Sequence, residues 1–405
     1  MITVRGWKTR QIGELGRVVT GRTPPTAAGD VFGDAYPFIT PTDMDGRRVL
    51  DRTERGLSEK GANLVNSSQV PEGSVAVSCI GWQMGKAVLV TRPSFTNQQL
   101  NTVVPTGEVL PEFLYYHLCT RQAELKNLGS VGVRTPILNK SRFEELEIAV
   151  PPEAIQRRIV GLLSAYDDLI ENNTKRIGIL EAMARSLHRE WFVDFRFPGH
   201  EQAKVVKGLP QGWTRRPLFD LATPTYGHPF KSSLFNDKGD GLPVVRIRNI
   251  LDGKSETFTV EEAPADRRLK DGDVLIGMDG DFHMALWVGG DAWLNQRVVR
   301  IASNGELANY LLFWLLRDPI QHFNDTLVGT TVVHLGAKEL RTIELLVPPD
   351  ALLYQANEYF DTIGKLVVNL RLRCRELRAT RDLLLPRLIS GEIDVSSLPP
   401  DPAAS

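Results

Sequence analysis

The sequence predicts an α+β protein with two α+β domains in tandem repeat, joined by two long helices that form an antiparallel coiled coil. Three observations predict this class. Short aliphatic runs bounded by Gly, Pro and Asp alternate with single helical stretches. Two long segments carry apolar residues at spacings of three and four. The second half of the chain repeats the first, and 405 residues suffice for two such domains, each with its own core.

The strands are predicted from β-branched and aliphatic runs that end at turn residues. They cover residues 36–39, 74–77, 88–90 and 100–104 in the first domain, and 243–247, 274–276, 286–288 and 298–301 in the second. One helix is predicted after each set, at residues 111–118 and 307–316. The first of these helices begins with a proline, which suits the first turn of a helix.

The repeat pairs residues along most of the chain. Residues 7–21 align without gaps with residues 213–227, and Val150 and Val347 open matching segments. Further pairs are Gly73 with Gly272, Gly81 with Gly280, Asn97-Gln98 with Asn295-Gln296, Leu169 with Leu366, and Leu180 with Leu377. Two copies with a long period indicate domain duplication rather than a solenoid.

Two segments that each follow a double proline are predicted as long helices. Their expected coiled-coil core residues are Leu162, Tyr166, Leu169, Leu180 and Leu187 in the first helix, and Ile363, Leu366, Leu370, Leu377 and Leu384 in the second. About 38 residues at 1.5 Å each give roughly 57 Å of helix. We expect the two stripes to pack together. The alternative is that each helix packs only on its own domain. Pro386 is expected to mark the end of the second helix.

These patterns divide the chain into six parts. They are a first domain at 1–150, a central helical spacer at 151–197, a linker at 198–212, a second domain at 213–349, a carboxy-terminal helical spacer at 350–395 and a disordered tail at 396–405.

Composition restricts the class of protein. Cys79, Cys119 and Cys374 are far apart and lack ligand spacing, which favours reduced thiols in the cytoplasm. No apolar run reaches the length of a membrane span, and the amino terminus lacks the apolar core of a secretion signal. We therefore expect a cytoplasmic protein without a membrane partner. The net charge of -1 gives no basic surplus, so nucleic-acid binding would need local clusters or help from partners.

Motifs for catalysis are missing. Residues 81–86 resemble a phosphate-binding loop, but the spacing is one residue short and Ala87 stands where a magnesium-binding hydroxyl is needed. The seven histidines form no metal-binding pattern, and no glycine-rich cofactor fingerprint is present. The acids at 43, 45, 51 and 54 are not repeated in the second domain, which favours solvated loop acids over a nuclease cluster. We expect no catalytic residue and no metal site in this chain.

Several short sequence motifs together resemble those of the specificity subunit of type I restriction-modification systems. They are the ends of the two helices at 186–195 and 381–393, the Val-Pro-Pro-acid openings at 150–153 and 347–350, and the Gly-Trp pairs at 6–7 and 212–213. No single motif is specific, but the set covers nearly the whole chain.

The resemblance implies two target-recognition domains on a coiled-coil spacer, with double-stranded DNA as ligand. It also implies two modification subunits, which carry S-adenosylmethionine and methylate adenine, and restriction subunits that translocate and cut DNA. S-adenosylmethionine, ATP and magnesium are then expected on those partners, and no cofactor is expected on this chain.

Polar residues in the Gly- and Pro-rich loops of both domains are the candidates for DNA contact, because their side chains suit base edges or phosphates. They are Arg22, Thr23, Thr42, Trp82, Gln83, Lys86, Arg134 and Thr135 in the first domain, and His228, Lys231, Arg246, Arg248, Asn249, His283, Thr330 and His334 in the second. Each of these side chains could equally be an ordinary solvated loop residue.

Residues that recur at matching loops of both domains are weaker candidates for sequence specificity. Two domains with different target sequences need different side chains to contact the bases. Asn97-Gln98 and Asn295-Gln296 recur, so we favour a structural turn for them over contacts with adenine. Residues that differ at matching loops are the better candidates. They are Gln83 and Met84 against Phe282 and His283, and Arg134 against Thr331.

The sequence therefore predicts a non-catalytic DNA-recognition subunit that reads a bipartite, asymmetric site, one domain per half-site, and organises methylation and restriction subunits. Two alternatives remain open. One is a scaffold that joins proteins without reading DNA, and the other is a self-sufficient DNA methyltransferase or nuclease.

Overall fold

The structure is a computed structural model, and it describes residues 6–50, 52–129, 136–326 and 334–397. The chain forms two compact units. Unit 1 consists of Met1–Glu171 with Glu376–Ser405, and unit 2 consists of Asn172–Arg375. Each long helix contributes residues to both units, so a unit contains one globular domain and a segment of both helices.

Unit 1 is an α+β domain with three small sheets. Its strands are β1 (Lys8–Gln11), β2 (Gly16–Thr20), β3 (Phe32–Ile39), β4 (Val49–Leu50), β5 (Gly56–Leu57), β6 (Gln69–Val70), β7 (Val75–Ser78), β8 (Ala87–Val90), β9 (Ser94–Thr96), β10 (Leu100–Pro105) and β11 (Glu147–Val150). Its helices are α1 (Ile12–Leu15), α2 (Glu59–Leu64), α3 (Pro111–Cys119), α4 (Gln122–Gly129) and α5 (Lys140–Glu144), followed by the start of the long helix α6 (Glu153–His188).

Unit 2 repeats this plan. Its strands are β12 (Val205–Val206), β13 (Leu209–Pro210), β14 (Thr214–Pro217), β15 (Ala222–Tyr226), β16 (Phe235–Asn236), β17 (Leu242–Val245), β18 (Phe258–Thr259), β19 (Arg268–Leu269), β20 (Val274–Gly277), β21 (Met284–Leu286), β22 (Ala292–Leu294), β23 (Val298–Ser303) and β24 (Glu344–Val347). Its helices are α7 (Leu218–Leu221), α8 (Asn309–Thr326) and α9 (Ala337–Leu340), followed by the long helix α10 (Asp350–Ile389).

The order of the strands in the sheets is similar in the two units. The larger sheet of unit 1 has the order β2-β10-β7-β8-β4, and its counterpart in unit 2 has the order β15-β23-β20-β21. The second sheets share one parallel pair each, β3 with β9 and β17 with β22. Because parallel strands end at the same edge, the loops that follow β3 and β9 lie together, as do those that follow β17 and β22.

Most predicted strands and both short helices are present. One strand is displaced: the run predicted at 286–288 pairs at Met284–Leu286 instead, and Trp287 buries its ring beyond the strand end. The second short helix is longer than predicted and continues through Pro319 to Thr326. Helices α4 and α5 have too few residues to show a periodic pattern in the sequence.

The two long helices run antiparallel within each unit. In unit 1, Asp167 of α6 binds Arg381 of α10 at 2.5 Å. In unit 2, Glu181 of α6 binds Arg371 of α10 at 2.6 Å. Trp191, in the helical turn that follows α6, packs edge to face on Tyr359 of α10 at 5.8 Å. The helices also pack on the globular domains, since the core of each unit combines residues of both helices with residues of the sheets. The predicted pairing therefore occurs, and the helices pack on the domains in addition, so packing on the domains does not replace the pairing.

Two predicted coiled-coil core residues are wrong. Leu169 is 53% exposed and Leu366 is 45% exposed. Their neighbours Ile170 and Val367 are buried instead. The buried residues Phe360, Ile363, Val367, Leu370 and Cys374 of α10 alternate at spacings of three and four. In α6 the buried residues Ile159, Leu163, Ile170, Asn173 and Ala184 fit the same alternation with half-buried residues at the positions between them. In each case two adjacent apolar residues competed for one seam position. Leu162, Tyr166, Leu180, Leu187, Leu377 and Leu384 are half-buried.

Helix α10 does not stop at Pro386 as expected. It continues to Ile389, where Leu388 and Ile389 enter the core of unit 1. The stretch predicted as a linker contains the two-stranded β12–β13 hairpin. In the part of the chain that the structure describes, no helix combines the length and the apolar character that crossing a membrane requires.

Candidate nucleic-acid interface

The loops at one edge of each domain are tied together by the same set of backbone bonds. In unit 1 they form the first loop cluster, residues 21–23, 40–44, 80–86, 96–99 and 136–138. The bonds run from Arg22 N to Thr96 O (2.9 Å), Asn97 N to Ile39 O (3.0 Å), Cys79 N to Gln99 O (2.8 Å) and Leu138 N to Cys79 O (2.8 Å).

In unit 2 the second loop cluster comprises residues 227–231, 245–249, 278–283, 294–297 and 334–335. The matching bonds run from His228 N to Leu294 O (2.8 Å), Asn295 N to Val245 O (3.2 Å), Met278 N to Arg297 O (2.9 Å) and Leu335 N to Met278 O (2.7 Å). The two clusters thus share one backbone frame, which the repeat of the sequence encodes.

Two repeated residues explain why the frame is kept. A side chain on Gly21 would place Cβ 2.1 Å from Asn97 O, and one on Gly227 would place it 2.0 Å from Asn295 O. Only glycine allows this approach. Asn97 and Asn295 are buried, and their Oδ1 atoms accept the backbone N–H two residues later, at 3.1 and 3.3 Å. The predicted structural turn at these asparagines is confirmed.

Besides Thr23, four candidates of the first cluster expose their side chains. They are Arg22, Thr42, Gln83 and Trp82, which is 82% exposed. Thr23 is also at the surface, where its hydroxyl donates to Gln98 Oε1 at 2.6 Å. With Thr20 and Gly21, residues 22, 23 and 98 line an open concavity of about 480 Å³.

Lys86 differs from these candidates because its ammonium is half-buried and already holds two loops together. Its Nζ donates to Met44 O at 2.8 Å and to Gln83 Oε1 at 3.2 Å. It therefore positions the loops at 40–44 and 81–86, and it adds positive charge beneath them.

The second cluster presents a mixed set of side chains. Arg248 and Lys231 are exposed, and His228 and His283 are half-buried. The Nε2 atom of His228 lies 3.6 Å from Glu261 Oε1. The side-chain amide of Asn249 is already hydrogen-bonded within its own turn. Its Oδ1 accepts the N–H of Arg246 at 3.1 Å, and its Nδ2 donates to Lys254 O at 2.9 Å.

A cationic concavity of about 500 Å³ lies beside that turn. Its lining residues are Arg246, Arg248, Asn249, Asp252, Lys254, Glu256 and Thr257. Burial and the neighbouring charge of Arg248 lower the pKa of the Arg246 guanidinium. Two guanidiniums that repel one another are favourable partners for a phosphate.

His334 belongs to a charged group that the sequence did not single out. Its Nδ1 lies 2.7 Å from Asp279 Oδ1, and Arg297 lies 3.0 Å from the other oxygen of the same carboxylate. Asp279 and His334 form an isolated antiparallel bridge, and the matching bridge of unit 1 pairs Ile80 with Ile137. The pairing of Gly81 with Gly280 in the repeat is the signal that could have pointed to Ile80 and Asp279.

Two specificity candidates are buried, and four further candidates lie outside the described residues. Met84 and Phe282 are buried at 0% and 2% exposure, so their proposed role as specificity residues is wrong. Each lies in a loop too short to keep all its side chains in solvent. Arg134, Thr135, Thr330 and Thr331 lie outside the described residues. Within the described ranges, no three His, Cys, Asp or Glu side chains meet in a group that could hold a metal ion.

Two deeply buried titratable groups of unit 1 are Cys79, which follows β7, and His117 of α3. Burial raises the pKa of the Cys79 thiol to about 12. Burial and then the nearby Arg121 cation lower the pKa of the His117 imidazole to about 4. Both groups are therefore uncharged near neutral pH and carry no reactive form to the surface.

Comparisons with known proteins point to one family. A family model described as "Type I restriction modification DNA specificity domain" matches residues 4–182 and 210–356. The chain is 27% identical to the type I restriction enzyme MjaIX specificity subunit of Methanocaldococcus jannaschii, over 97% of this chain and 95% of that protein. It is 35% identical to the HindI specificity subunit of Haemophilus influenzae over 42% of this chain and 38% of that protein.

A solved structure has the same fold. The crystal structure of the type I restriction-modification S subunit from M. genitalium superposes with a TM-score of 0.64 and 17% identity, covering 96% of this chain and 97% of that one.

Proposed function

The chain belongs to the family of type I restriction modification DNA specificity domains, and on that premise we propose that each of its units reads one half of a bipartite DNA site. The chain is a DNA-recognition subunit, and it has no catalytic role of its own. Unit 1 uses the first loop cluster for one half-site, and unit 2 uses the second loop cluster for the other.

One observation carries this proposal. Both clusters keep one backbone frame, down to Gly21 and Gly227, but they present different exposed side chains on it. A common frame supports a common task, which is to approach a duplex in a fixed orientation. Different side chains on that frame support different sequences, because base edges are read by hydrogen bonds and apolar contacts. Two unlike readers explain an asymmetric site.

The long helices support a fixed gap between the half-sites. Helix α6 has 36 residues and α10 has 40, and each passes from one unit into the other. At 1.5 Å per residue, a helix of this length extends over about 54 Å, which is roughly 16 base pairs of duplex. The spacer between the half-sites is then unread by either cluster.

The chain assembles with other subunits of a restriction-modification system. Its net charge of -1 supports this, because a lone subunit with so little positive charge gains little from phosphate contacts. The partners we propose are two modification subunits, which carry S-adenosylmethionine and methylate adenine, and restriction subunits that use ATP and magnesium. The methylation subunits then clamp the DNA that the clusters read.

Mapping of N6-methyladenine across the genome, with and without this chain, tests the proposal. We expect methylation at one bipartite, asymmetric motif to disappear when the chain is removed and to return when it is restored. Unchanged methylation, or loss at a single continuous motif, would contradict the proposal.

A further inference from the structure

The positions beside the shared frame differ in chemistry between the two clusters. Unit 1 has Ile80 and Ile137 as its bridge pair, where unit 2 has Asp279 and His334. Trp82 follows Gly81 in the loop, whereas the residue that follows Gly280 is Asp281. The same surface is therefore apolar in unit 1 and charged in unit 2.

The apolar platform of unit 1 consists of Ile80, Trp82 and Ile137. Trp82 is 82% exposed, Ile137 is 50% exposed and Ile80 is half-buried. Ile80 and Ile137 meet at the bridge, and Trp82 follows Gly81, whose N–H donates to Pro136 O at 2.9 Å. Large exposed apolar side chains gathered in one region of the surface mark a candidate binding site.

The loop that carries Trp82 is held firmly. Gly81 and Gly85 adopt φ angles of +88° and +86°, a left-handed conformation that favours glycine. The buried Met84 side chain anchors the loop from below, and Lys86 ties it to the carbonyl of Met44. Trp82 is thus presented on a rigid support, which lowers the entropy cost of using it in binding.

The charged triad of unit 2 consists of Asp279, Arg297 and His334. The carboxylate of Asp279 is 19% exposed, while the side chains of Arg297 and His334 are 56% and 48% exposed. The carboxylate of Asp279 binds both basic side chains. The guanidinium of Arg297 has further N–H groups, which suit acceptors on base edges, above all those of guanine.

An apolar platform needs an apolar group on the DNA. In an intact duplex the base faces are covered by stacking, and the apolar group that a base pair presents at its edge is the 5-methyl of thymine. We propose that the apolar platform binds the 5-methyl group of at least one thymine in the half-site read by unit 1. The charged triad reads its half-site without methyl contacts. This inference rests on the proposed function, because it takes the first loop cluster to read a DNA half-site and names the chemical group that the apolar platform contacts there.

Replacement of thymine by deoxyuridine tests the inference, since it removes only the methyl group and keeps the base pairing. The binding of the full complex is measured on three duplexes: unmodified, with deoxyuridine throughout the first half-site, and with deoxyuridine throughout the second. We expect the first replacement to weaken binding about fourfold for each buried methyl. We expect the second to leave binding unchanged.

The variants Trp82→Ala and Ile137→Ala connect that loss to the platform. Each should weaken binding to the unmodified duplex and bring the ratio between the thymine and deoxyuridine duplexes close to one. Leu64→Ala is the matched control, because Leu64 is a 50% exposed apolar residue on α2 of the same unit. It should keep the full ratio. All three side chains are at the surface, so the variants are expected to unfold at the temperature of the parent chain.

Three results would overturn the inference. They are equal binding of the unmodified duplex and the one with deoxyuridine in the first half-site, a ratio that Trp82→Ala and Ile137→Ala leave intact, and a unit 1 half-site without any thymine. The last two would instead favour a wedge at a base step or a protein contact for Trp82. A complex that binds no bipartite site at all would reject the proposed function, which is a different outcome.

Discussion

Among single residues, the exposed positions of the two loop clusters differ most, while the buried positions beneath them are alike. The repeat in the sequence predicted the buried turn at Asn97 and Asn295 because a residue kept in both domains serves the frame. It did not predict that Met84 and Phe282 point inward. A short loop must turn some side chains toward the core, and which ones it turns depends on backbone angles that the residue types do not specify.

His117 should make the stability of unit 1 depend on pH. Its imidazole titrates near pH 6.5 in the unfolded chain, whereas burial and the nearby Arg121 lower its pKa to about 4 in the folded protein. Between these values the unfolded chain binds more protons, so the stabilisation is complete above pH 6.5 and is lost as the pH falls through 4. The loss should reach about 3 kcal/mol.

Chemical denaturation at a series of pH values measures this loss, with His117→Leu as the comparison. The parent chain should lose more unfolding free energy than the variant between pH 6.5 and 4. Parallel curves for the two proteins would show that His117 titrates normally in the folded state.

At the scale of elements, the spacing of apolar residues predicted both long helices but placed part of their seam one residue away. Leu169 and Ile170 are both apolar, as are Leu366 and Val367, so periodicity alone does not choose between them. The choice follows from neighbours in the fold. The buried residues of α6 also include the polar Asp167, which the apolar spacing did not select.

Asp167 joins three elements of unit 1. Its carboxylate accepts the hydroxyl of Tyr116 in α3 at 2.7 Å and binds Arg381 in α10 at 2.5 Å. Replacing it with Ala removes the acceptor of a buried hydroxyl and one of the two carboxylates that bind the guanidinium of Arg381, which keeps Asp382 at 2.8 Å. We expect Asp167→Ala to lower the free energy of unfolding by about 2 kcal/mol.

Asp361→Ala is the control for that variant, because Asp361 pairs with Lys365 on the exposed side of α10. It should cost less than about 0.5 kcal/mol. Equal losses for the two variants, measured by urea unfolding, would contradict a special role for Asp167.

The heptad spacing of the seam leads to a prediction about the spacer of the DNA site. Inserting seven residues into both α6 and α10 preserves the seam and lengthens each helix by about 10.5 Å. Methylation mapping should then find a preferred gap between half-sites that is longer by about three base pairs. An unchanged gap would mean that the helices do not set the distance.

At the scale of the whole molecule, the near-zero net charge sets how the chain is used. Recognition without a basic surplus implies that partners supply much of the contact with phosphates. The purified chain alone should therefore bind its site at least about tenfold more weakly than the full complex at the same salt concentration. Titrations of labelled duplex with each form measure this difference. Equally tight, sequence-specific binding by the lone chain would contradict the account.

The sequence was sufficient for the tandem plan because gene duplication left matching glycines, prolines and asparagines in both halves. The contrast between the apolar platform and the charged triad could not be predicted from the sequence, because Ile80 and Ile137 are distant in sequence and meet at a single β-bridge.

The central claim is that the two units read their half-sites independently, and a domain exchange tests it most directly. Residues 1–150 are replaced by the corresponding domain of a relative with a different methylation motif, and N6-methyladenine is mapped in cells that carry the chimera and its partner subunits. The account predicts a new bipartite motif in which one half-site has changed to that of the relative and the other is as before. A motif altered in both halves, or in neither, would contradict it.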